Sequence, residues 1–475
     1  METDASIIPL KTSLLGGREL AELYEEVREL YLRNKSPWVI GFSGGKDSTA
    51  TLQVIWNALS GLPADKRSKP VYVLSSDTLV ETPVMVDQID RTLALIDEAA
   101  TLQNMPIETQ KVKPKLQDTF WVNLIGKGYP APYNRFRWCT DRLKIKPANT
   151  FILNCVAKYG DVIVVLGVRK SESATRAQSM SLRQINGSIL RRHSTLPNAF
   201  VYAPIEDFSS DDVWSYLLNQ KAPWGGQNRD LLALYRNANA GECPLVIDTT
   251  TPSCGSSRFG CWVCTVVEKD NAMESLIDNG EEWLEPLLEL RDFLASTQEF
   301  ENKTELRDHK RRGGQVSFTP RGDIARGPYK LSTCKFILKQ LLEAEKAIST
   351  HPNGQDVQLI GVEELHEIRR IWRNERQDWD DSVPSIFRDV MKHDLNWPVD
   401  DGPNFTSSDQ DLLVSICERE GVPANLVAKL IDTERQYQGM NRRAGIFQKI
   451  DRVFNENWQS EEEVLAELQK EESDS

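Results

Sequence analysis

The sequence predicts an α/β fold for its first half: a parallel sheet with helices on both faces. A cysteine-bearing segment and a helical C-terminal module follow. Three observations carry this prediction. Short apolar runs at 38–42, 71–74 and 162–168 read as strands buried on both faces. Stretches with apolar residues at helical spacing lie between them, and that alternation is the mark of a parallel sheet. Beyond residue 350 only the helical period remains.

Taken in order, Leu14, Leu20, Leu23, Val27, Leu30 and Tyr31 place an amphipathic helix over 14–33, in an N-terminal arm of residues 1–36. A domain over 37–240 opens with the strand 38–42. The turn Ser43-Gly44-Gly45 comes next, then a helix from Asp47 marked by Ala50, Val54, Ile55 and Leu59. Strand, glycine turn and helix together aim unpaired N–H groups and a helix N-terminus at one point, which favours an anion. Lys46 adds a positive charge there. This is not the G-x-x-x-x-G-K-[ST] loop, because Ile40 stands at the first glycine and Asp47 at the Mg²⁺-binding hydroxyl.

The second strand ends in Ser75-Ser76-Asp77-Thr78. Residues 107–112 read as a weaker third strand and 201–205 as another. Helices are expected at 84–100, 148–159 and 211–218, the last capped by Ser209 with Trp214 packed inward. Ligands of such sheets sit at the carboxyl ends of strands, which puts Ser43 to Ser48, Asp77 and Arg169 on one rim. Arg169 and Arg176 flank Glu172 on a loop leaving a strand. That arrangement could clamp a phosphate or be a solvated charged turn.

The net charge of −13 over 475 residues argues against a generally sticky nucleic-acid binder but permits a local basic patch. No apolar run approaches the roughly 18 residues of a membrane helix, and residues 1–13 lack a signal-peptide core. A cytoplasmic protein without membrane contact is expected. In a reducing compartment its clustered cysteines read as metal or redox chemistry. Cys139 lies among Arg135, Arg137, Arg142, Lys144 and Lys146, a setting that should favour the thiolate and attract a phosphodiester.

Cys243, Cys254, Cys261 and Cys264, within a segment over 241–270, form a C-x₁₀-C-x₆-C-x₂-C array able to surround one soft metal centre. Zn²⁺ and a [4Fe–4S] cluster both accept four thiolates. The long first spacer does not make paired zinc knuckles, which tilts the reading to the cluster. Gly255 and Gly260 would let the loop fold back, and Phe259 and Trp262 would shield it. Within the next region, 271–350, the residues Arg307, His309, Lys310, Arg311, Arg312, Gly313, Gly314, Arg321, Arg326 and Lys330 suit contact with a nucleic-acid backbone, or equally a solvated loop. Helices at 334–346 and 359–372 flank a polar linker at 350–356, and a helical module covers 351–475. Ser407 with Gln410 and Ser460 with Glu463 read as capping boxes, and Cys417 as core.

The run Ser43 to Ser48 resembles the pyrophosphate loop of N-type ATP pyrophosphatases. That likeness implies Mg²⁺-dependent cleavage of ATP between its α and β phosphates, with AMP passed to an acceptor. Taken with Asp77 to Pro83, Trp138-Cys139-Thr140, Leu143-Lys144-Ile145, Pro147 and Leu166 to Arg176, the first half is similar to the PAPS reductase superfamily, whose fold is adenine nucleotide alpha hydrolase-like. Two departures speak against reduction of activated sulfate: the end Gln469 to Ser475 has no cysteine, and Cys139 has no adjacent partner.

Adding the four-cysteine array, Gly361 to Trp372 and Gly439 to Gly445, nearly the whole chain resembles DndC, the sulfurtransferase family of bacterial DNA phosphorothioation. The resemblance implies a [4Fe–4S] cluster on the four cysteines, a cysteine desulfurase as sulfur donor, DNA as substrate, and the subunits DndD and DndE as partners. In that reading Ser43, Gly44, Gly45, Lys46 and Ser48 hold pyrophosphate, and Asp47 orients the loop or Mg²⁺. Asp77 lies near the nucleotide, and Arg169, Arg176, Arg142 and Lys144 near the phosphate acceptor. Cys139 carries sulfur. A tRNA thiolase, a phosphoadenylyl-sulfate reductase and a zinc-stabilised, non-catalytic assembly subunit are the rival readings.

Overall fold

The computed structural model describes residues 14–238, 260–399, 406–437 and 443–473. Expectations for residues 1–13, Cys243, Cys254, Gly255, Phe259, Gly439, Met440, Asn441, Arg442 and the last two residues lie outside these. The chain divides into two compact units, Met1–Lys115 with Asn134–Leu288 and Leu116–Tyr133 with Glu289–Ser475.

The first unit runs α1 (Leu20–Arg33), β1 (Trp38–Gly41), α2 (Lys46–Ser60), β2 (Val71–Ser76), α3 (Pro83–Leu102) and β3 (Ile107–Val112). It continues with α4 (Lys146–Tyr159), β4 (Val162–Val165), α5 (Ala174–Leu182), β5 (Arg191–Arg192), β6 (Ala199–Tyr202), α6 (Ser210–Asn219), α7 (Asn228–Ala238) and α8 (Asn271–Asp278). Among the described residues the strands form one sheet in the order β3-β2-β1-β4-β6-β5. All neighbours are parallel except β5, which runs antiparallel to β6.

Side-chain alternation sorts β1 between two cores. Trp38 and Ile40, with Phe42 just beyond, face a layer holding Leu52, Ile55 and Leu59 of α2. Val39 faces the other way, onto Leu74, Val164 and the α4 residues Ala148 and Ile152. Each such side chain contributes about 1.5–3 kcal/mol on burial, so a slip of one residue would exchange the two cores.

Two strand expectations are corrected. The fifth ladder partner is Ala199–Tyr202 in register with Val162–Val165, not 201–205, because Pro204 has no N–H to donate. β4 ends at Val165, three residues short of the expected run.

The second unit takes in α9 (Glu285–Ser296) from Glu289, then α10 (Phe300–Leu306), α11 (Leu331–Ile348), α12 (Val362–Glu375) and α13 (Ser382–Met391). α14 (Ser407–Glu420), α15 (Ala424–Tyr437), α16 (Ile446–Phe454) and α17 (Glu461–Ser473) complete it. The wide turn Val122–Gly126 belongs to this unit. Trp121 Nε1 donates to Leu359 O at 2.8 Å, and Trp372 Nε1 donates to Ile125 O at 2.9 Å. Cys417 is buried, as expected. The cap of α14 is Thr406 with Asp409 rather than Ser407 with Gln410, and Asp409 Oδ2 accepts from Thr406 N at 2.8 Å. Ser460 and Glu463 do cap α17, with Ser460 N donating to Glu463 Oε2 at 2.7 Å. Among the described residues no helix is long and apolar enough to cross a membrane.

Candidate active site

β1 delivers its carboxyl end to the turn Ser43-Gly44-Gly45, and α2 begins at Lys46. Gly44 holds φ at +73°, the left-handed region that a side chain resists, and a Cβ there would press on Ile89 at 3.0 Å. Ser48 ties the turn together. Its Oγ donates to Gly45 O at 2.9 Å and accepts from Ser43 N at 3.3 Å. The first N–H of α2, on Lys46, donates to the Tyr235 hydroxyl of α7 at 3.2 Å. An oxygen thus already lies where the loop would receive one from a phosphate.

Lys46 and Asp47 are both buried at the base of the loop. Burial pushes the Lys46 ammonium down to about 8, opposed by the Asp47 carboxylate 3.5 Å away. Asp47 Oδ1 accepts from Arg169 Nε at 2.6 Å. Arg169 therefore braces the loop from beneath, and Arg176 is salt-bridged to Glu172. Both arginines of the expected phosphate clamp are thus ion-paired, and the pair of Arg169 with Asp47 closes one rim loop onto another. Gly167 makes the approach possible, since a Cβ there would lie 2.6 Å from Asp47 O and 2.9 Å from Thr51 Oγ1.

The end of β2 carries the second half of the site. Asp77 is buried, accepts from Leu79 N at 3.0 Å, and pairs with Lys111 and Lys113 at 3.4 Å each. The neighbouring Ser76 Oγ has no hydrogen-bond partner among the described residues. The segment after Asp77 receives Cys261 and Cys264. Glu81 and Cys261 form an antiparallel bridge, Trp262 N donates to Val80 O at 3.0 Å, and Thr82 N donates to Gly260 O at 3.3 Å. Thr78 Oγ1 lies 3.4 Å from Cys261 Sγ. Cys264 N donates to Cys261 O at 3.1 Å, which closes the C-x-x-C turn, and Trp262 and Val263 are buried beside it.

Cys139 begins the wide helical turn Thr140–Ile145 that leads into α4. Its thiol does not have the expected acidity. Burial pushes it up to about 11, Cys264 pushes the same way, and Lys144 acts to lower it. The residue is half-buried by area, yet its sulfur faces protein. Arg135 is exposed to solvent and gives the thiol no such help. Burial likewise pushes Cys261 to about 12 and raises Glu81, both opposed by Lys144. Lys144 thus serves the thiols and Glu81 together. Cys139, Cys261, Cys264 and Glu81 thus feel one another's charge or that of Lys144, at the same strand ends as the loop.

Cys243 and Cys254 lie outside the described residues. Among those described, no three His, Cys, Asp or Glu side chains converge as a ligand set. The chemistry of Cys261 and Cys264, two adjacent thiols beside buried apolar side chains with a third thiol facing them, suits a soft metal centre.

Gly167, Tyr235 and Ser76 carry no role that spacing in the sequence suggests. Gly167 follows a strand end, where a glycine could equally be an ordinary turn. Tyr235 sits in α7, nearly two hundred residues from the loop, with no local signal.

Residues 37–267 match the family of the phosphoadenosine phosphosulfate reductase domain. Residues 409–455 match the small protein found in certain Dnd DNA modification systems. An uncharacterized protein of Methanocaldococcus jannaschii is 27% identical over 242 residues, 51% of this chain and 39% of that protein, so the chain spans well under half of that relative. Among solved structures, the phosphoadenylyl-sulfate reductase of Candida auris in its phosphate complex aligns with a TM-score of 0.27 and 16% identity, over 43% of this chain and 87% of that one. The FMN adenylyltransferase of Candida glabrata, with FAD and inorganic pyrophosphate, aligns with a TM-score of 0.26 and 10% identity, over 44% and 61%. The chain thus carries a PAPS reductase-like domain and, in its helical part, a segment similar to a Dnd-system protein.

Proposed function

We propose that this protein is an ATP-dependent sulfurtransferase that activates a DNA backbone phosphate by adenylation and helps replace a non-bridging oxygen with sulfur. One observation carries the reading: the Ser43–Ser48 loop and the thiols of Cys139, Cys261 and Cys264 occupy the same end of one sheet. The two family matches, to a PAPS reductase-like domain and to a Dnd-system protein, support it.

A non-bridging phosphate oxygen is a poor leaving group. Its attack on the α-phosphorus of ATP expels pyrophosphate and converts it to a phosphoanhydride. The loop N–H groups and Lys46 would neutralise the departing pyrophosphate, with Mg²⁺ bound to the nucleotide. The terminal sulfur of a Cys139 persulfide, charged by a cysteine desulfurase, then attacks the activated phosphorus, and AMP leaves. A thiol reductant attacking Sγ of Cys139 frees the phosphorothioate and takes the remaining sulfur into a disulfide. Arg169, braced on Asp47, would fix the loop beside the acceptor. Cys261 and Cys264, with Cys243 and Cys254, would hold a [4Fe–4S] cluster, which supplies electron-transfer and sulfur-handling chemistry when bound. DndD and DndE would be the DNA-handling partners.

Chromatography of nucleotide products and mass spectrometry of digested DNA test this together. Wild-type protein with DNA should release pyrophosphate and, with desulfurase and cysteine, AMP and sulfur-containing dinucleotides. Lys46→Ala should lose all of these, whereas Cys139→Ser should keep pyrophosphate release and lose AMP release and sulfur incorporation. ADP and phosphate as the only products would defeat the assignment, and sulfite release from a sulfonucleotide would favour a reductase.

A further inference from the structure

The second unit contains a groove of about 500 Å³ that the chemistry above does not use. Eight of its lining residues are Lys or Arg and four are Asp or Glu, in a chain whose total charge is −13. The local sign is therefore opposite to that of the whole molecule. Three of the acids are engaged within the protein. Glu456 pairs with Lys429 at 2.5 Å, Asp432 is buried against Gln377 and Arg435, and Asp308 receives the Lys310 N–H at 3.0 Å. Arg311, Arg312 and Arg452 are exposed.

One wall is the loop between α10 and α11. At its base Arg307 is buried and donates to Gly327 O at 2.8 Å and Arg326 O at 2.7 Å, so this arginine is a staple and not the surface contact the sequence suggested. The loop is fastened as well to the chain that follows the far wall. Asn457 N donates to Gly314 O at 2.9 Å, and Arg326 pairs with Glu461 at 2.6 Å. The far wall comes from α15 and α16, inside the segment similar to a Dnd-system protein. Two aromatic faces order the cations: Lys310 lies 4.8 Å from the ring of Trp458, and Arg312 lies 5.1 Å from that of Tyr129. Cations placed on aromatic faces in a pinned groove are pre-organised for a chain of phosphates.

We infer that this groove binds the phosphodiester backbone of DNA, reading charge and not sequence. The inference rests on the proposed function for its choice of DNA over other polyanions. The test uses the full chain, a fluorescent 20-base-pair duplex, and titrations from 50 to 200 mM salt. A protein carrying Lys310→Ala, Arg312→Ala and Arg452→Ala should bind every duplex sequence more weakly. Its salt slope should be lower by roughly 2–3, because each phosphate that a cation neutralises contributes about 0.9. Lys339→Ala, an exposed cation elsewhere on this unit, should leave the slope unchanged. An unchanged slope in the triple variant, a wild-type protein that binds no duplex, or tighter binding of RNA of equal length would overturn the inference. So would loss of polyglutamate binding with DNA binding intact, which would make the groove a dock for an acidic protein. AMP formation by the wild-type protein, measured with DNA, desulfurase and cysteine, separates the two claims. If the groove variants lose DNA while wild-type protein bound to DNA makes no AMP, the groove stands and the functional reading falls.

Discussion

Lys46 is the residue on which the electrostatics and the proposed function converge. Burial lowers its folded pKa to about 8, beneath the ordinary lysine value of 10.5. The unfolded chain therefore binds the extra proton between those values, and this group's contribution to stability improves as pH rises from about 8. Anion binding runs the other way, because only the ammonium attracts phosphate. Pyrophosphate affinity measured by calorimetry should fall as pH rises through about 8. Lys46→Arg should carry that affinity to higher pH, and Lys46→Ala should remove the fall. A wild-type affinity that is flat from pH 7 to 9.5 would show that the ammonium is not the anion contact. Cys139 teaches the complementary lesson. Five cations are its neighbours in sequence, but spacing alone could not say which of them share its pocket, or that burial would outweigh them.

At the scale of elements, much was legible. The apolar run into β1 and the glycine turn before α2 predicted strand, loop and helix, because a strand buried on both faces tolerates no polar interruption. β5 was not legible, since Arg191–Arg192 has no apolar residue to signal it and exists only through its pairing with β6. The bridge between Glu81 and Cys261 was also hidden, because it joins residues 180 apart through backbone groups that every sequence possesses. That bridge sets up a prediction for the thiols. Protein purified without oxygen should be brown, with a broad visible absorption bleached by reductant, and Cys261→Ser and Cys264→Ser should each abolish it. Colourless wild-type protein holding one equivalent of zinc would replace the cluster with a structural metal.

At the scale of the molecule, two compact units are built from interleaved stretches of chain, with residues 116–133 joining the C-terminal helices. Nothing in the composition of those residues announces the exchange. The loop lies wholly in the first unit, so a nucleotide should stabilise that unit preferentially. An ATP analogue with an uncleavable α–β bridge, at a hundred times its Kd, adds about 2.7 kcal/mol. That should raise one calorimetric transition by roughly 5–10 °C. Equal displacement of every transition would contradict this, as would the same response in Lys46→Ala.

The hydroxyl of Tyr235 on the Lys46 N–H gives the loop a substitute guest. A buried donor left without an acceptor costs roughly 1–3 kcal/mol, and the phenol spares the resting protein that cost. On the proposed function, arrival of a nucleotide would be an exchange, one acceptor displacing another, and its measured affinity would be the difference between the two.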